Sequence, residues 1–148
     1  MLKGIPALLN ADLLWILRSM GHGDDLVVAD RNFPARSVAN HTESKQLIHL
    51  DGTDDVTAIE AIVSLMPLDT FVPCPLHHMQ VVGEPDTVLE VHTRVHEVCS
   101  AAHGDNLQME SIERHEFYQR AKQSFAVVQT SENRPYGCFI LKKGVVFD

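Results

Sequence analysis

Apolar side chains at Leu13, Leu14, Leu17 and Met20 recur three and four residues apart, which predicts a helix capped at Asn10 and stopped by a left-handed Gly21. The run Leu26-Val27-Val28-Ala29 predicts a short buried strand, ended by Asp30. A second strand is expected over Leu47–Leu50, closed by Asp51-Gly52. Asp54 then caps a helix that turns Val56, Ile59, Ile62, Val63 and Met66 inward and stops at Pro67. Residues 68–76 read as loop, with prolines at 73 and 75, and Met79–Val82 as a third strand. A helical pattern runs from Asp86 to Ala102, an alternating strand over Leu107–Ile112, and a helix from Glu113 to Gln123. Strands over Phe125–Val128 and Cys138–Leu141 follow, separated by a turn at Ser131–Pro135.

Strands and helices therefore alternate along nearly the whole chain. This is the pattern of a single α/β domain over residues 1–148, Rossmann-like, with a largely parallel sheet and helices on both faces. Ligands of such sheets sit beyond the carboxyl ends of the strands, where Asp30 and the residues after Ile112 fall.

The net charge of −8 opposes binding to nucleic acid or to an anionic membrane, each of which needs a basic face. No apolar run reaches the length of a bilayer span, and residues 1–20 read as a helix rather than a secretory leader. Three cysteines without CxxC spacing, Cys74, Cys99 and Cys138, fit reduced thiols and a cytoplasmic location.

His22 stands between Gly21 and Gly23, where little neighbouring bulk keeps an imidazole from a ligand. Histidine is the side chain whose ordinary pKa allows both proton states near neutrality. The competing reading is a histidine that caps the carbonyls of the preceding helix. Asp30, at a strand end, has two oxygens for adjacent hydroxyls, or serves as a turn residue, or pairs with Arg31. Arg114 offers fixed donors for hydroxyl oxygens or a carboxylate, or is one solvated charge in Glu113-Arg114-His115-Glu116. Tyr136 carries a phenol at a turn and Gly137 permits close backbone approach by a ligand; an aromatic packed over the turn is the plainer alternative. His92 and His96 share a helical spacing, yet His-Thr-Arg-Val-His is no metal motif, and exposed helix histidines are expected, with no metal site. No phosphate-binding glycine loop is present, since Asp24 and Asp25 follow Gly21-His22-Gly23.

The segments Met1–Leu9, Met20-Gly21-His22-Gly23-Asp24 and Ala29-Asp30-Arg31-Asn32-Phe33-Pro34-Ala35 resemble the fucose mutarotase and ribose pyranase family. So do Asp51-Gly52, Leu65–Thr70, Ile112–Lys122, Phe125–Val128, Tyr136-Gly137-Cys138 and Leu141–Val145, while residues 74–107 match poorly. The resemblance implies a Rossmann-like subunit in a ring-shaped homo-oligomer, often a decamer, that interconverts anomers or ring forms of a free monosaccharide without a cofactor. It makes His22 the catalytic acid/base and Asp30, Arg114, Tyr136, Gly137 and Cys138 sugar-binding positions. Arginine at 114 and the Phe117-Tyr118 segment place the chain nearer the fucose branch. Cys138 departs from the family's usual asparagine, replacing an amide with a weak thiol, and His115 replaces an aromatic. An L-fucose-type mutarotase is therefore expected; a ribose-type pyranase and a non-catalytic monosaccharide-binding protein are the alternatives.

Overall fold

A computed structural model describes residues 2–147. Its order is α1 (Ala11–Ser19), β1 (Asp25–Ala29), α2 (Ala35–Ala39), β2 (Leu47–Leu50), α3 (Asp55–Val63), β3 (Leu76–Met79), α4 (Glu90–His103), β4 (Met109–Ile112), α5 (Arg114–Lys122), β5 (Ala126–Thr130) and β6 (Cys138–Lys142). The six strands form one sheet in the order β2-β5-β1-β6-β3-β4. Pairings β2–β5, β5–β1 and β3–β4 are parallel, and β6 runs antiparallel to both β1 and β3. Five strands thus point one way, with the final strand reversed between two of them. The expected largely parallel α/β layout stands.

Alternation along the strands sends successive side chains to opposite faces. Leu26 and Val28 of β1, Phe139 and Leu141 of β6 and Val128 of β5 pack with Leu13 and Ile16 of α1, Ile59 and Ile62 of α3, and Val91 and Val95 of α4. Val27, Ala29, Val127 and Ile140 face the other way, against Val38 and Ala39 of α2 and Phe117 and Ala121 of α5. Helices therefore cover both faces.

The expected caps hold. Asn10 accepts from the Leu13 N–H and Asp54 from the Thr57 N–H. Three local expectations change. The left-handed residue after α1 is Gly23 (φ 88°), not Gly21, because Met20 leaves the helix extended and the Asp24 carboxylate accepts the Gly21 N–H instead. The third strand lies at Leu76–Met79, three residues before its expected start: β3 pairs as soon as Pro75 is passed, and Gln80 already leaves the ladder. The short helix α2 was not expected; Pro34 sits at its start, where a missing N–H costs nothing.

Candidate functional site

Asp30 follows β1 in the tight turn Asp30–Phe33. Its Oδ1 accepts the N–H groups of Asn32 (2.8 Å) and Phe33 (3.0 Å), and the buried Cys138 thiol points at Oδ2 (3.6 Å). Arg31 does not pair with it in this arrangement. Burial pushes the Asp30 carboxyl upward, and the two N–H groups and the thiol only partly offset this. Cys138 is pushed well above the usual thiol range, first by burial and then by Asp30, so it stays an S–H donor. Because a thiol is a weak donor, Oδ2 keeps capacity for a hydroxyl.

Arg114 is the first residue of α5, exposed, and engaged in no ion pair among the described residues. Tyr136 takes a left-handed backbone conformation (φ 60°) at the entry to β6. Its phenol oxygen accepts the Val82 N–H at 3.3 Å, which leaves the phenol proton free to donate. Asp30, Asn32, Arg114, Tyr136 and Cys138 line one open cavity of about 300 Å³, with Phe33, Met79, Tyr118 and Pro135 as its apolar wall. That is the lower end of the range for ligand pockets, about 300–1,000 Å³. The cavity lies at the carboxyl ends of β1, β3 and β4, the position expected for an open α/β sheet. One side presents a carboxylate, a guanidinium and a phenol; the other presents aromatic and apolar carbons. Such a two-sided lining suits a small polyhydroxyl ring.

Gly137 is needed for a different approach than the one expected. A Cβ there would lie 2.6 Å from Asp55 Oδ2 and 2.8 Å from Glu132 Cγ, so the protein's own carboxylates occupy the space. Asp55 is fully buried; Thr130 donates to its Oδ1 at 2.7 Å, while Oδ2 has no partner. Burial, and then repulsion from Glu132, carries the Asp55 carboxyl well above the carboxylate range. Glu132 is held at about 2: burial opposes this, but a forked pair of hydrogen bonds from Arg134 (2.9 and 2.7 Å) outweighs it.

His92 is another residue the sequence did not single out correctly. It is fully buried rather than exposed. Its Nδ1 accepts the Leu89 N–H at 3.1 Å, so Nε2 carries the proton and donates to the Tyr136 carbonyl at 3.0 Å. Its ring packs on that of His78 at 3.8 Å. Burial first, then the neighbouring His78, lowers His92 to about 4. A neutral imidazole thus braces the strained turn that carries Tyr136. His96 is half-buried and bonded to the Leu107 carbonyl at 2.9 Å, which accounts for it without a metal.

His22 stands apart. It precedes β1, whereas Asp30 follows it, and five strand residues separate their ends by roughly 17 Å. His22 Nε2 lies 3.0 Å from Oδ1 of the buried Asp69. Burial acts to raise the Asp69 carboxyl, yet the Phe71 N–H and His22 together lower it, so it accepts and His22 Nε2 donates. That leaves Nδ1 as the ring nitrogen with a free lone pair. The side chain is 46% exposed, beside the exposed Phe71 ring at 5.3 Å. Asp69 is a positioning partner 47 residues away in sequence; it lies in the Leu65–Thr70 segment that carries part of the resemblance, but its pairing with His22 was not read there.

The sequence and the fold are similar to those of known proteins. Residues 3–146 match the model of the RbsD / FucU transport protein family. The chain belongs to this family. It is 43% identical to a fucose mutarotase of Homo sapiens, over 98% of this chain and 94% of that one. The crystal structure of a fucose mutarotase from Streptococcus pneumoniae in complex with L-fucose is 37% identical, covers 99% of this chain and 100% of its own, and superposes with a TM-score of 0.88. Bacillus subtilis RbsD complexed with D-ribose is 23% identical over 99% of this chain and all of its own, with a TM-score of 0.75, and shares the fold. Among the described residues no helix is long and apolar enough to cross a membrane.

Proposed function

We propose that the protein is a cofactor-independent mutarotase that interconverts the α and β anomers of a free monosaccharide, L-fucose or a near relative. The observation that carries this reading is the convergence of Asp30, Arg114 and Tyr136, from three separate parts of the chain, on one cavity of about 300 Å³. Full-length identity near 40% to fucose mutarotases supports it.

Mutarotation takes a proton from the anomeric hydroxyl and puts one on the ring oxygen. The C1–ring oxygen bond opens to the aldehyde, the C1 face turns, and the ring closes again. Asp30 Oδ2 and the Arg114 guanidinium hold hydroxyls, so opening and closing occur in one geometry. Tyr136 is placed to donate its phenol proton to a sugar oxygen, and the Phe33 and Tyr118 rings cover the apolar face of the sugar. His22 shuttles the proton through Nδ1, oriented by Asp69.

One chain does not bring His22 to Asp30. We infer that a second copy of the chain supplies it, the His22 end of one subunit closing the cavity of the next. Such a head-to-tail contact repeats and closes into a ring. A ring of ten subunits, as the resemblance implies, and a cytoplasmic location, as the three unpaired cysteines suggest, belong to this proposal. The exposed Phe71 beside His22, with Leu2, Val146 and Phe147 also exposed, supports burial of that end against another copy. The test is exchange NMR of L-fucose anomers with wild type and His22→Ala, together with the oligomeric state of both. Acceleration by wild type alone is expected; equal acceleration by an assembled His22→Ala protein overturns the assignment.

A non-catalytic monosaccharide-binding protein is the second reading. It is favoured by Cys138, whose thiol is directed at Asp30 and offers no amide to a sugar. Binding without added anomer exchange would decide for it.

A further inference from the structure

The face of the sheet under α5 carries a second group of chemically capable side chains, away from His22 and outside the sugar cavity. Cys74 lies just before β3, His77 on β3 and Glu110 on β4, and His77 and Glu110 stand opposite each other in the parallel ladder. Their three ligand atoms lie within 4.8 Å of one another. We propose that Cys74, His77 and Glu110 bind one borderline-soft divalent cation of the Zn²⁺ class, with a fourth coordination position left to solvent.

His77 Nδ1 is buried and bonded to nothing. A buried polar atom without a partner is costly, and a cation is one partner that satisfies an imidazole lone pair. Sulfur, nitrogen and carboxylate oxygen are zinc's preferred donors, and three protein ligands with one open position is a recurrent zinc arrangement. A hard cation such as Mg²⁺ or Ca²⁺ selects oxygen cages and has no use for this set. A thiolate and a carboxylate together balance a doubly charged ion.

The surroundings set the strength required. Arg120 and Lys142 approach from α5 and β6, and both pair with Asp25, at 2.9 Å in each case. Their charge opposes weakly bound cations and leaves only an ion that forms strong bonds to sulfur and nitrogen. Cys74 is a protonated thiol in this structure, directed at the Leu76 and Gln108 carbonyls (3.0 and 3.4 Å) and raised by burial. Metal binding therefore displaces a proton, and affinity should rise about tenfold per pH unit below the thiol's own pKa.

The probe is Co²⁺ added to chelator-treated, full-length protein in its native assembly, followed by competition with Zn²⁺. Wild type should bind one ion per subunit, show the thiolate-to-cobalt charge-transfer band in the near ultraviolet, and lose that band to Zn²⁺. Cys74→Ser should abolish the band, and Glu110→Gln should weaken Zn²⁺ by at least the roughly 10–100-fold that even an outer-sphere change costs. Glu110 is exposed, so its variant reads binding even if Cys74→Ser folds poorly. No charge-transfer band in wild type, or Zn²⁺ affinity unchanged in Glu110→Gln, overturns the proposal. Sugar exchange is not a readout here, so failure of the metal site and failure of the mutarotase reading remain distinct.

Discussion

Acidification should destabilise this fold through His92 in particular. The imidazole is fully buried, neutral, and engaged at both nitrogens by Leu89 and Tyr136. Its pKa falls from 6.5 to about 4, by burial first and His78 second. In the unfolded chain the ring takes up a proton near 6.5, while in the native state it does not until about 4. The unfolded state therefore binds more protons in that window, and stability is complete above 6.5 and drains as pH falls toward 4. At about 1.4 kcal/mol for each pKa unit, the His92 share comes to about 3 kcal/mol, a large part of the roughly 5–15 kcal/mol that holds a domain together. Urea unfolding at a series of pH values and one fixed protein concentration measures it, beside His92→Gln. Glutamine does not titrate but keeps an amide donor for the Tyr136 carbonyl. The variant's stability should depend on pH less steeply than wild type by about 3 kcal/mol across the window. Parallel wild-type and variant curves would refute the reasoning.

Other perturbations separate the parts of the site. Asp30→Asn should weaken L-fucose binding, measured by calorimetry, by about 2 kcal/mol, the worth of a hydrogen bond to a charged group. Asp69→Asn should reduce anomer exchange while leaving sugar binding near wild type, because it releases the His22 ring rather than a hydroxyl; a selective loss of binding would contradict this. Gly137→Ala should lower urea stability by about 1–3 kcal/mol, as its methyl enters space held by Asp55 and Glu132.

Much of this was legible in the residues and some was not. The unbroken apolar runs around Val27, Val127 and Ile140 exposed the sheet, because strands buried on both faces carry apolar side chains at every position. Asn10 and Asp54 announced two helix starts because their side chains bond locally. Strand β3 was misplaced because His77 and His78 read as polar, while pairing with β6 and β4 fixed the register from a distance. Asp30, Arg114, Tyr136 and Cys138 were legible as candidates, and the structure brings them to one cavity. Gly137 belongs to the wall behind it instead. His92 read as an exposed helix histidine, and nothing in the sequence singled out Asp55. Their partners lie 44 and 75 residues away, so only tertiary structure reveals them. The separation of His22 from Asp30, by contrast, was implicit in the expected strand Leu26–Ala29, which lies between them and sets them at its opposite ends.

The most direct test of the central claim is magnetisation-exchange NMR of α/β interconversion in L-fucose, with and without the protein, and D-ribose as the comparison. Faster exchange is expected for L-fucose, lost in His22→Ala and retained in Cys138→Asn. Binding of L-fucose with no acceleration, or acceleration of D-ribose alone, would contradict it.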